Sequence, residues 1–132
     1  MSSIKSVIEK HALSFQQKEI KRFNEAVAKM IDTELTKRAK SGNLDPIYFI
    51  ELMPTPSHTY LVCFKETSDP TVEESNAITT FQSLLPISVF RNVFVKAYGN
   101  ESEYYSHKYG CTMYYYRFNF VEIANKQKGE FV

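Results

Sequence analysis

Residues 97–116 read AYGNESEYYSHKYGCTMYYY, and seven of the chain's nine tyrosines fall there. The run alternates as strands do and is punctuated by Gly99 and Gly110 at turn positions. Tyr joins a large apolar ring to one polar tip, which suits a surface that is dry when bound and wet when free. No acid–base or metal-binding pattern interrupts the run. It points to an aromatic β-surface used for binding or assembly, not to a reaction centre.

The segment downstream, TMYYYRFNFVEI (112–123), reads as the last strand. Its even positions Thr112, Tyr114, Tyr116, Phe118 and Phe120 form an aromatic stripe. A stripe that large belongs against the core, because exposed it would exceed ordinary surface patches. The odd positions then carry Tyr115, Arg117 and Asn119 to the opposite face. EYYSHKY (103–109) and ISVFRNVFVKAY (87–98) read as the two preceding strands. Tyr and Arg are the residues most enriched in interface hot spots. The expected partner-binding set is therefore Tyr104, Tyr105, Lys108, Tyr109, Tyr115 and Arg117, gathered at one end of the sheet.

Further upstream, IYFIELM (47–53) and HTYLVCFKE (58–66) are apolar on both faces, as central strands are. Between them and residue 87, Asp69-Pro70 has the look of a helix start, and Ala77, Ile78, Phe81, Leu84 and Leu85 supply an apolar helical stripe that Pro86 ends. A helix over 70–85 follows. The first forty residues are helical with two stripes. Ile4, Val7, Ile8, Ala12 and Phe15 share one face, and Ile20, Phe23, Val27, Met30, Ile31 and Leu35 another. At 100° per residue the stripes are offset by more than a third of a turn. Ser14 with Gln17 has capping-box spacing, so the reading is two helices, 3–13 and 15–40, or one helix bent there. If the helix is instead continuous, the first stripe needs another cover, such as a second copy of the chain. Lys37, Arg38 and Lys40 suit the last turn and Gly42 the cap.

The fold expected is α+β: one domain over 1–132, with a helical segment 1–41, a sheet region 46–123 holding the helix 70–85, and a tail 124–132. The sheet is four- or five-stranded and mostly antiparallel, with the helices on one face, in the order α-α-β-β-α-β-β-β. That order is similar to the order in small ring-forming proteins of phage tails and necks, although no residue motif carries the similarity. Predicted core residues are Phe23, Val27, Ile31, Ile50, Val62, Phe81, Phe118 and Phe120.

Composition narrows the function. The net charge is +1, distributed as +3 over 1–45, −4 over 46–90 and +2 over 91–132. That balance disfavours a nucleic-acid binder held by general electrostatics. His11, His58 and His107 stand in different elements without metal spacing, so no metal is expected. The four glycines do not cluster into a phosphate-cradling loop, no nucleophile motif occurs, and no cofactor is expected. Cys63 and Cys111 read as free thiols of a reducing compartment, and no span of membrane length or signal-peptide type occurs, which gives a cytoplasmic expectation. The reading is a non-enzymatic protein-binding module, with inhibition of a host protein as its natural version if the source is a phage or mobile element. Alternatives are a structural assembly subunit or homo-oligomer, and a single-stranded nucleic-acid binder.

Overall fold

The computed structural model describes residues 4–42, 48–67, 69–72 and 74–118. Its elements are α1 (Ile4–Ser41), β1 (Tyr48–Thr55), β2 (Thr59–Lys65), β3 (Ala77–Gln82), α2 (Ile87–Tyr98), β4 (Ser102–Ser106) and β5 (Cys111–Phe118). The strands form one sheet in the order β3-β2-β1-β5-β4, and every neighbouring pair is antiparallel. The α+β class and the five-stranded antiparallel sheet agree with the sequence reading.

Two elements trade identities. Among the described residues of 70–85 there is no long helix; Asp69 instead caps a single turn, accepting from the Thr71 amide at 3.0 Å and the Thr71 hydroxyl at 2.7 Å. The β-branched run Ile78-Thr79-Thr80 then enters the sheet as edge strand β3, paired with β2. Conversely, ISVFRNVFVKAY is the helix α2 and not a strand. Its β-branched residues favour a strand, but Phe90, Phe94 and Ala97 recur at helical spacing and are buried, and packing overrides propensity. Pro86 sits at the N-cap of α2, so the proline read as a helix stop begins the next helix. Gly99 ends it with φ 96°, its backbone N–H donating a hydrogen bond to the Val95 carbonyl at 2.8 Å. The order is therefore α-β-β-β-α-β-β.

The second correction is at Ser14. α1 runs unbroken from Ile4 to Ser41. No Gly or Pro interrupts it, and restarting a helix would repeat the unfavourable nucleation step. One helix thus presents two apolar faces.

The core lies between the helices and one face of the sheet. Phe23 of α1 packs its ring 4.6 Å from Phe90, 5.2 Å from Phe81 and 5.2 Å from Phe94. β1 contributes Tyr48, Ile50 and Leu52, β2 contributes Tyr60, Val62 and Phe64, and β5 contributes Tyr116 and Phe118. Of the predicted core residues, Phe23, Val27, Ile31, Ile50, Val62, Phe81 and Phe118 are buried. Phe120 and the tail 124–132 lie outside the described residues.

Candidate functional site

The Tyr-rich run forms α2's last turn and the β4–β5 hairpin, and strand alternation divides its tyrosines. Tyr104 and Tyr115 lie on the face away from the helices, rings 5.7 Å apart, and Tyr115 sets its edge against Phe49 at 5.9 Å. Arg117 is exposed on that face, across from Phe49. Tyr105 alternates to the opposite side and is 57% exposed. Its ring meets His107 edge-on at 5.3 Å. Lys108 and Tyr109 occupy the hairpin turn, with the ammonium 5.2 Å from the Tyr109 ring. The turn is held by Ser106, whose hydroxyl accepts from the Tyr109 amide at 3.2 Å and whose carbonyl accepts from the Gly110 amide at 2.8 Å. The six predicted residues therefore form two groups: Tyr104, Tyr115 and Arg117 on one face, and Tyr105, Lys108 and Tyr109 at the tip of the edge hairpin.

Tyr104 belongs to a buried polar cluster that the sequence did not reveal. Register places Glu51 beside Lys65 on the face away from the helices. The Lys65 ammonium is 2.8 Å from Glu51 Oε1, and both side chains are sealed from solvent. Tyr104 donates to Glu51 Oε2 at 2.8 Å, while Lys65 donates to Tyr104 at 3.2 Å, to the Pro70 carbonyl at 3.1 Å and to the Val72 carbonyl. Three ammonium donors facing this set are fully engaged, as a buried charge requires. Lys65 thereby straps the connection between β2 and β3 over the sheet. Beside it, burial pushes the Cys63 thiol up to about 11, which makes it a poor nucleophile. Cys63 and Cys111 are not joined by a disulfide, and their strands are separated by β1. A charged residue within each of two doubly apolar strands was the only sequence signal of this pair.

A third cluster joins α2 to β4 and β5. Arg91 bonds Glu101 through two nitrogens at 3.1 Å and 2.5 Å, and Tyr116 donates to Glu101 Oε2 at 2.5 Å. The Arg91 guanidinium, which also stacks 3.9 Å from the Tyr114 ring, lowers the Glu101 pKa below the usual carboxylate range. Burial, aided by Glu101, raises that of Tyr116. The cluster borders a groove of about 700 Å³ between the helices, lined among others by Gln16, Ile20, Asn24, Asn92 and Lys96.

A run of exposed apolar side chains lies on α1. Every residue from Ile4 to Lys18 is exposed, because this part of the helix runs past the sheet. Ile4 is 78% exposed, Ile8 61%, Val7 51% and Phe15 43%. At its inner end, Phe15 lines a hollow of about 380 Å³ with Glu19, Ser57, His58, Gln82, Ser83 and Leu84, and Leu84 is itself 73% exposed. One wall is the β1–β2 turn, where Ser57 and His58 both take positive φ, 65° and 55°. Such conformations cost non-glycine residues roughly 1–2 kcal/mol each and persist only where the surroundings hold them. Here the His58 carbonyl accepts the Ser83 amide at 3.0 Å, and Thr55 donates to the Thr59 carbonyl at 2.6 Å.

Among the described residues, no group of three or more His, Cys, Asp or Glu side chains is arranged to hold a metal, and no helix is long and apolar enough to cross a membrane. Compared with protein-family models, with curated proteins and with solved structures, the chain matches none.

Proposed function

We propose that the chain is a protein-binding module that recognises its partner through the tip and outer edge of the β4–β5 hairpin. The observation that supports this reading is the exposed set Tyr105, His107, Lys108 and Tyr109 on a turn fixed by Ser106. Rigid tyrosines give large contact area at small entropic cost, and neighbouring cations add stacking and charge specificity. β4 ends the sheet, and no described strand pairs with its outer side. An extended partner segment can therefore add as a further strand, with the tyrosines reading its side chains.

The test is selection of extended peptides from a display library on the wild-type chain, with affinities then measured for Tyr105→Ala and Tyr109→Ala. Loss of roughly 2 kcal/mol in either variant at unchanged melting temperature supports the hairpin as the contact. Peptides that bind both variants as tightly as wild type would exclude it. A second reading, a self-assembling subunit, is favoured by a different observation, the exposed stripe of α1.

A further inference from the structure

We infer that two copies of this chain pair through residues 4–18 of α1, side by side and antiparallel. The argument begins with geometry. Projected at 100° per residue, the buried residues Phe23, Val27, Met30 and Ile31 point to one side of α1, while Ile4, Val7, Ile8, His11 and Phe15 point about 130° away from it. The first set covers the sheet; the second faces outward on a segment with every residue exposed. Ile4, Ile8, His11 and Phe15 follow the 4-3-4 spacing of a helix–helix seam.

The seam is self-complementary in one register. Placed antiparallel about a two-fold axis between Ile8 and His11, Ile4 of one copy meets Phe15 of the other, Val7 meets Ala12, and Ile8 meets His11. No charged side chain lies on the seam between Ile4 and Phe15. The register also accounts for the hollow at the inner end. Phe15 belongs to both seam and hollow, so Ile4 of the second copy arrives beside Phe15 at the rim of the hollow, which also holds the exposed Leu84 and the strained Ser57-His58 turn. The arrangement closes on itself, as a two-fold interface does. A seam over residues 4–15 is about 18 Å long and covers on the order of 400 Å² per copy, about half the ~800 Å² per partner of a standard-size interface, which fits weak, reversible association.

Other occupants fit less well. A helix lying on a membrane presents a broad apolar face with a basic border. This seam is narrow, contains His11, and is flanked by both signs of charge in Lys5, Glu9, Lys10 and Glu19. An unrelated helix offers no reason for the residue-by-residue match.

Sedimentation equilibrium of the full chain, wild type and two variants, tests the proposal. Wild type should dimerise reversibly. Ile8→Gln, which keeps helix propensity, should raise the dissociation constant at least tenfold, and His11→Leu, which removes the seam's polar member, should lower it at least fivefold. Unchanged circular dichroism ensures that the variants report on pairing. The register is read from nitroxide labels in a Gln17→Cys, Cys111→Ser chain: antiparallel pairing separates them by about 25–35 Å, a parallel pair by less than about 20 Å. A chain monomeric at all concentrations overturns the proposal, as does a dimer indifferent to Ile8→Gln or a short label distance. Binding of the monomer to anionic vesicles that is lost in Ile8→Gln would transfer the stripe to a membrane role and also overturn it.

Discussion

The two halves of α1 are built from the same kinds of residue in the same helical period, and their fates are opposite. From Phe23 to Leu35 the apolar positions are closed in by the sheet and by α2; Phe23 and Ile31 are fully buried. From Ile4 to Phe15 the apolar positions face solvent. The difference lies in where the sheet ends. Amphipathic periodicity states that a helix has a face to bury, and only the rest of the fold states what buries it. A continuous helix with two faces more than a third of a turn apart can satisfy one of them within its own domain, and the other is left for an intermolecular contact.

The comparison breaks most visibly in stability. Phe23→Ala empties a site ringed by Phe81, Phe90 and Phe94 and should cost about 3–5 kcal/mol in urea denaturation. Ile8→Ala, measured where the chain is monomeric, should change stability by less than about 0.5 kcal/mol. Comparable losses at both positions would mean that the N-terminal half packs on its own domain.

The boundary between the halves falls at Glu19. Its carboxylate is bonded by Arg22 at 3.0 Å and by the Ser83 hydroxyl at 2.8 Å, and the bond from Arg22 holds its pKa below the ordinary value of 4.5. A depressed carboxylate stabilises the fold above its unfolded value, and the contribution disappears as pH falls through the folded one. Glu19→Gln should therefore cost about 1 kcal/mol at pH 7, and wild type and variant should converge on acidification below 4.5. A difference that persists at pH 2 would show that Glu19 acts by packing and not by charge.

The smallest effect sharpens the comparison at Ser14. Within a continuous exposed helix, Ser14→Ala should stabilise by a few tenths of a kcal/mol, since alanine is the better helix former. A loss of 0.5–2 kcal/mol would be the mark of a helix cap and would restore the break.

Much of the fold was legible. The β1–β2 hairpin showed as two strands apolar on both faces, and the aromatic stripe of β5 and the core half of α1 carry periodicity that one buried face enforces. The exchange of β3 and α2 was not, for a physical reason. AITTFQ is short, and Ala77, Ile78 and Phe81 fit a helical stripe as well as a strand. ISVFRNVFVKAY is rich in β-branched and aromatic residues that prefer strands, and its helix is decided by what Phe90 and Phe94 touch: Phe23 and Tyr116, distant in sequence. The expected site was legible only in part. Tyr104 was read as a contact residue, but cross-strand pairing to Met113 turns it toward Glu51 and Lys65. Tyr105, its neighbour, points the other way and remains on the surface. The Glu51–Lys65 pair depends on strand register, which no local pattern discloses.

The account's central claim is that α1 has one face for its own domain and one for a second copy. Amide hydrogen exchange along α1, followed as the concentration of the chain is raised, tests it most directly. A helical segment without tertiary packing is only marginally stable in water. Protection of residues 8–18 should therefore be weak in dilute solution and rise with concentration, while that of residues 23–38 should be strong and constant. Protection of residues 8–18 that is already strong in dilute solution and does not move with concentration would contradict the claim.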